Sequence, residues 1–394
     1  MSIKSYKYRF YPTPAQKQIL AQTFGCVRYV FNRALQHRTD TYKQTGKGAG
    51  YGATSKELTG WKQQDETAWL KQVSCVPLQQ SLRHLNTAFV NFFKKRSKYP
   101  RFKRKQRHQS AEFTRSAFKW DSRNNNLSLA KIGRLDIRWS RSFSAEPSTV
   151  TISVTPTGKY FASIRIDEPN RCLPPATAEI GIDLGIKTLA VTSEGQCFEN
   201  VRAISKHAKR LAFEQRRLSR RTKGSGRWNR ARLRVAKIQE RIANIRRDWL
   251  HKVTTKLVSE NQTLVCETLR ASNMMKNRKL AKSIADCSWF ELVRQLAYKS
   301  EWYGRTFVQI SQWEPTSKRC SCCGFVSDKM PLSIRAWTCP ECLTEHDRDE
   351  NAAKNILEAG RALIAQGENV SRKAVSPVAR KSRRTVKHLE HGFA

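Results

Sequence analysis

Two sets of side chains in this sequence have the types and spacing to hold metal ions. Cys320 and Cys323 form one C-x2-C pair and Cys339 and Cys342 another, with fifteen residues between them, a spacing that suits a four-cysteine zinc ribbon. Gly324 follows the first pair and Pro340 sits inside the second, so each pair occupies a tight knuckle and two thiolates from each can complete a tetrahedron. Four protein ligands leave no open position, which makes the expected Zn2+ structural rather than catalytic. A disulfide pair or unconnected thiols are the rival readings, and Cys322, between two ligands, is expected to point away. The second set is carboxylate. Asp347-Arg348-Asp349-Glu350-Asn351 opens a helix, where acids can simply cap the first turn and complement its dipole. Asp183 stands in the otherwise apolar stretch EIGIDLGI, flanked by Gly181 and Gly185; a buried carboxylate there needs a basic side chain or a metal. Glu267 ends the short apolar run TLVCE.

The elements that must position these groups follow from periodicity. Residues 2–11 alternate, with Tyr6, Tyr8 and Phe10 on one face, and read as a strand ended by Pro12 and Pro14. Thr13-Pro14 starts a helix carrying Ile19, Leu20, Phe24, Val27, Val30, Phe31 and Leu35 at helical steps. The polar stretch KQTGKGAGYGATSKE reads as a glycine-rich loop without the ending of a Walker motif. Amphipathic helices are expected near 55–71 and 77–97, followed by the burst KKRSKYPRFKRKQR. Its cations, Lys103 and Arg104 among them, suit phosphates and its Tyr99 and Phe102 suit base stacking, against the alternative of a solvated charge run. Short strands from 111 to 167, together with the first strand, suggest a small β-barrel over 1–170 interrupted by a helical insertion at about 13–110. A linker over 171–178 leads into an α/β domain over 179–365 that carries the ribbon, 316–346, as an insertion; 366–394 reads as a disordered basic tail. Between 201 and 260 lie nineteen Lys and Arg against four acids, in two helices separated by KGSGR, with Arg220 and Arg221 at the junction. The stretch NMMKNRKLAKSIADCS reads as a polar, mobile connection. The class is multidomain α+β.

Composition bounds the partners. The 394 residues hold 74 Lys and Arg against 32 acids, a formal net charge of +42, an excess that a polyanion neutralises far better than an acidic protein does. No stretch approaches the ~18 apolar residues of a spanning helix, and MSIKSYKYRFYP has no signal-peptide core, so a cytoplasmic location is expected, at the nucleoid when bound to DNA. Of the eleven cysteines, Cys26, Cys75, Cys172, Cys197, Cys266 and Cys287 stand among apolar neighbours and read as reduced small hydrophobes.

The order of elements around Asp183, Glu267 and Asp349 suits a ribonuclease-H-like sheet in which acids from the first strand, the fourth strand and the last helix converge. Three such carboxylates can hold two Mg2+ or Mn2+ ions, one activating water and one stabilising the leaving oxygen of a phosphodiester. IGIDLGIKTLAV, LVCETL and the paired C-x2-C motifs followed by DRDENAAKNI resemble the three RuvC segments and zinc ribbon of TnpB proteins, encoded by bacterial insertion sequences. YKYRFYPTPAQKQIL, FGCVRYVFN and LQQSLRHL resemble the same family, so the similarity covers roughly residues 4–360. The resemblance implies RNA-guided cleavage of double-stranded DNA, as in the similar type V CRISPR effectors, with Asp183, Glu267 and Asp349 as the catalytic acids. It also implies a noncoding guide RNA from the transposon end, and a wedge-like N-terminal domain reading a short transposon-adjacent motif, with Tyr51 and Gln79 as contacts. Two alternatives stand beside it: a guide-independent RuvC-type nuclease for branched or single-stranded DNA, and an RNA-guided DNA-binding regulator. A transposase acting by a nucleophilic tyrosine is disfavoured, because no His-hydrophobe-His motif is present.

Overall fold

The computed structural model describes residues 2–105, 108–331 and 333–367. They fall into two compact units, one holding Ser5–Ile166 and the other running from Asp167 and including the first residues of the chain. The expected basic tail lies almost wholly outside the described residues.

In the first unit, β1 (Ser2–Phe10) buries Tyr8 and Phe10 and leaves Lys7 exposed, the alternation that a pleated strand imposes. Thr13 then caps α1 (Pro14–Thr45): its hydroxyl accepts from the Gln16 N–H while the Gln16 side chain accepts from the Thr13 N–H, a reciprocal capping box. The helix expected near 55–71 is two pieces. Gly50, extended, precedes α2 (Tyr51–Gln63), and the chain then tightens into a 3-10 segment over Asp65–Gln72 before α3 (Cys75–Phe93). Seven strands follow: β2 (Gln109–Thr114), β3 (Phe118–Asp121), β4 (Asn126–Leu129), β5 (Gly133–Arg134), β6 (Ile137–Arg138), β7 (Pro147–Val154) and β8 (Tyr160–Glu168).

These strands do not close into the expected barrel. They form an open five-stranded sheet, β2-β7-β8-β1-β6, and a separate three-stranded sheet, β3-β4-β5. The edge strand β6 is two residues long and pairs only Arg138 with Arg9 and Ile137 with Phe10, too short to carry a ladder onward. Aromatic side chains join the two sheets instead: Tyr8 of β1 meets Trp139 edge-on at 4.8 Å between centroids, and Trp120 of β3 lies 5.3 Å from Trp139 and 5.2 Å from Phe143.

The second unit is built on a five-stranded sheet. Its strands are β9 (Glu179–Leu184), β10 (Thr188–Thr192), β11 (Cys197–Glu199), β12 (Thr263–Glu267) and β13 (Thr306–Ile310), in the order β11-β10-β9-β12-β13. β10 runs antiparallel to both neighbours, whereas β12 runs parallel to β9 and β13. The cationic helices α4 (Ala203–Ser219) and α5 (Gly226–Glu260) connect the hairpin to β12. The segment expected to be mobile contains α6 (Ala271–Met274) and α7 (Ala281–Cys287) and is anchored: buried Asp286 accepts from the Ile204 and Ser205 N–H groups at the start of α4. α8 (Trp289–Tyr303) precedes β13; the ribbon hairpin β14 (Ala336–Thr338) and β15 (Glu345–Asp347) precedes α9 (Arg348–Ala365).

Alternation assigns the two faces of this sheet. Ile180, Ile182, Leu184, Leu264 and Cys266 pack with Leu250, Val253, Leu257, Leu292 and Leu296 of α5 and α8, while Val265 and Val308 pack with Ile356 and Leu357 of α9. Gly181 and Asp183 therefore share the α9 face, and so does Glu267, two residues after Val265. Among the scattered cysteines, Cys26, Cys266 and Cys287 are buried as small hydrophobes, but Cys75, Cys172 and Cys197 are exposed.

Candidate metal centres

Asp183 and Glu267 come together because β9 and β12 are adjacent and in register, Ile182 opposite Cys266, which places the next residue of each strand side by side. The Leu184 N–H points at Glu267 Oε1 at 3.4 Å. Burial, then the charges of Glu267 and Asp349, raises the Asp183 carboxyl well above the ordinary aspartate range, with Arg348 opposing. Glu267 is pushed up to about 7, chiefly by burial, against hydrogen bonds with Leu184 and Asp183. Two adjacent carboxylates offer the hard oxygens that a divalent cation such as Mg2+ takes, which makes the pair a candidate site.

Asp349 is carried by α9, near enough for its charge to act on Asp183 but not in one ligand cluster with Asp183 and Glu267 among the described residues. Gly181 lets the helix approach: a Cβ there would lie 2.0 Å from the Ala353 carbonyl oxygen. The acid that caps α9 is Asp347, whose carboxylate accepts from the N–H groups of Asp349 and Glu350, each at 3.0 Å. Capping is thus done two residues earlier, and the Asp349 side chain is left for other work. It faces Arg335, with Nη1 3.2 Å from Oδ1, while its charge still acts on Asp183.

The four cysteine sulfurs lie within 4.8 Å of one another. Cys320 and Cys342 are 3.6 Å apart and Cys323 and Cys339 3.5 Å, close to the ~3.8 Å edge of a tetrahedron with Zn–S bonds of about 2.3 Å. The Thr344 hydroxyl lies 3.3 Å from Cys342 Sγ, and hydrogen bonding with Thr344 brings that thiol down to about 6, whereas its neighbour Cys323 is pushed up to about 12. Cys322 is exposed, as expected of a residue between two ligands.

Several residues outside the metal-ligand pattern complete the arrangement. Buried His346 places Nε2 3.0 Å from Cys320 Sγ. Asn351 accepts from the Ser321 N–H and donates to the Arg319 carbonyl, and Asn355 donates to the carbonyls of Thr316 and Arg319. The two asparagines, one turn apart on α9, clamp the first zinc knuckle to the helix that carries Asp349. Their only signal in the sequence is two amides at i and i+4 on the face that otherwise buries Ala352 and Ile356.

The expected nucleic-acid contacts are distributed differently. Tyr51 opens α2 with its ring under the Arg83 guanidinium at 5.2 Å, and Gln79 is exposed one turn before Arg83 on α3. Lys103 lies across the Phe31 ring with Nζ 4.1 Å from its centroid, and the burial of that ammonium lowers its pKa although the residue keeps exposed surface. Arg104 lines a surface cavity, and Arg220 and Arg221 are exposed at the turn after α4.

Residues 163–278 match the IS605 OrfB model described as "Probable transposase", residues 289–356 the Cas12f1-like TNB domain, and residues 1–47 a helix-turn-helix domain. Over that last stretch the chain forms β1 and one unbroken helix to Thr45. A Streptomyces pristinaespiralis protein described as "Putative RNA-guided DNA endonuclease" is 49% identical over 371 residues, covering 93% of this chain and 92% of that protein. Escherichia coli InsQ, with the same description, is 35% identical over 384 residues, 93% of this chain and 95% of its own. The fold is similar to that of Cas12f1 in a complex with single-guide RNA and target DNA, at a TM-score of 0.56 and 12% identity over 90% of this chain and 98% of that one. With its transposase module, ribbon and full-length relatives, the chain belongs to the TnpB family of IS605 OrfB proteins.

Proposed function

We propose that this protein is an RNA-guided DNA endonuclease that cuts double-stranded DNA beside a short transposon-adjacent motif. The observation that supports the reading is the side-by-side placement of Asp183 and Glu267 on adjacent strands in register, with Asp349 on α9 near enough for its charge to act on Asp183. These three residues would hold Mg2+ or Mn2+; the ions would supply an activated water and stabilise the leaving oxygen of the phosphodiester. The residues' own part is to present unprotonated oxygens in a fixed arrangement. Leu184 orients Glu267, Asp347 takes over the capping of α9, and Arg335 must release Asp349 for all three acids to converge. The cysteines would hold a structural Zn2+ that keeps the segment leading into Asp349 folded.

Sequence choice would come from pairing between a guide RNA and the target strand, the protein reading the flank and the shape of the heteroduplex. Tyr51 and Gln79, on one surface of the N-terminal unit, are proposed as flank contacts. The names of full-length relatives and the charge of +42 support two bound polyanions. Two alternatives, a guide-independent nuclease and a binding-only regulator, predict different behaviour. The test is to purify the protein from its host with its nucleic acid, sequence the bound RNA, and offer the complex a plasmid library with matching target and randomised flank. Cutting that depends on both RNA and flank is expected. Full-rate cutting by RNA-free protein, or no cutting with RNA, flank and Mg2+ present, would overturn the reading.

A further inference from the structure

A cavity of about 530 Å³ opens in the N-terminal unit between α1 and the segment 99–104, within the ~300–1,000 Å³ of small-ligand sites. Its walls include Lys43, Arg101 and Arg104, the aromatic rings of Tyr99 and Phe102, and Gln36, with no acidic residue among the lining side chains. The nearest acid on α1, Asp40, is engaged by the Gln36 amide at 2.7 Å, which leaves the Gln36 carbonyl oxygen as an acceptor.

The walls are fixed in place. Asn32 of α1 pairs with the Lys103 backbone in both directions, at 3.0 and 2.8 Å, and the Lys103 side chain is tied down on Phe31. Tyr99 is held at its hydroxyl by Thr39 at 2.8 Å and at its ring by edge-on contacts with Phe89 and Phe92 of α3. With Lys103 turned inward, its neighbours Phe102 and Arg104 are free to face the cavity, and the Phe102 ring is 53% exposed.

Three cations and an acceptor beside two apolar ring surfaces match one kind of ligand: an anion carrying a flat aromatic group. We propose that this cavity takes one unpaired nucleotide of a single-stranded nucleic acid, its base against Phe102 and Tyr99 and its flanking phosphates on Lys43, Arg101 and Arg104. A base inside a duplex has both faces stacked and cannot enter; an unpaired one can. RNA and DNA share this chemistry, and the proposal does not depend on the acids cutting DNA.

The test uses the full-length, zinc-loaded protein with single-stranded RNA and DNA 12-mers carrying one 2-aminopurine, and with the same oligonucleotides in duplex form. Quenching of 2-aminopurine is expected on single strands, and 5-iodouracil at the same position should crosslink to Tyr99 or Phe102. Phe102→Ala, at an exposed position, should weaken single-strand binding by about 5- to 100-fold without lowering the melting temperature. Arg101→Ala with Arg104→Ala should flatten the salt dependence while Phe102→Ala leaves it unchanged. Response of the RNA arm, the DNA arm or both supports the site and identifies which strand it takes. Duplex binding equal to single-strand binding, crosslinks confined to other regions, or unchanged affinity in Phe102→Ala would overturn it.

Discussion

Asp183 and Glu267 are costly neighbours, since burial raises both carboxyls and the charge of Glu267 raises Asp183 further. Asp183→Asn should abolish cleavage, leave RNA binding intact, and raise the melting temperature of zinc-loaded protein free of Mg2+, because it removes a buried carboxylate crowded by the charges of Glu267 and Asp349; thermal melts and RNA gel shifts measure the two outcomes. The pH dependence has a definite sign. Glu267 holds its proton more tightly folded than unfolded, so its contribution is fully present below the ordinary glutamate value and is lost as pH rises through about 7. Melting temperature without Mg2+ should fall from pH 5 to pH 7, and Glu267→Gln should flatten that slope. Asp347→Ala has a different consequence, because it removes the cap of α9. It should cost about 1 kcal/mol and lower cleavage through misplacement of Asp349, while Asp347→Ser restores both.

At the scale of elements, the site depends on how closely α9 lies on the sheet. A methyl group at Gly181 would meet backbone, the Ala353 oxygen at 2.0 Å and the Leu357 nitrogen at 2.9 Å, whereas one at Gly360 would meet the Val265 side chain at 2.4 Å. Gly181→Ala should destabilise by roughly 1–3 kcal/mol or more and abolish cutting, with no rescue by trimming a neighbour. Gly360→Ala should be milder and partly rescued by Val265→Ala; denaturation midpoints of the four variants decide this. The ribbon is the second element-scale dependence. Chelating zinc should unfold residues 316–346 locally, and Asn351→Ala with Asn355→Ala should reproduce the loss of cleavage with zinc still bound, because the clamp from knuckle to helix is gone. Hydrogen exchange over the ribbon and the start of α9 separates the two effects.

At the scale of the whole molecule, charge governs behaviour. Arg220→Glu with Arg221→Glu should reduce the log–log salt slope of nucleic-acid binding by about 2, one per lost phosphate contact, an effect readable by titration between low and high salt. Among the described residues no helix is long and apolar enough to cross a membrane.

The strand of Asp183, the strand of Glu267, the cysteine spacing and the capped start of α1 were all legible, because each is a local pattern: alternation, an apolar run, a fixed ligand interval, a Thr-Pro boundary. The barrel and the single helix near 55–71 were not, since closure depends on whether a two-residue edge strand can extend its ladder and helix continuity on which side chains find a core. Lys103 shows the same limit; nothing in a basic run says which cation lies on Phe31 and which faces outward. The sequence by itself determined that three acids and four thiols were available on elements that could converge, because chemistry and periodicity are local. Only the tertiary structure decided that Asp347 rather than Asp349 caps α9, that Arg335 holds Asp349, and that Asn351 and Asn355 bind the ribbon to the helix. Those assignments rest on pairings across space, and a backbone N–H donates to whichever oxygen the fold brings within reach.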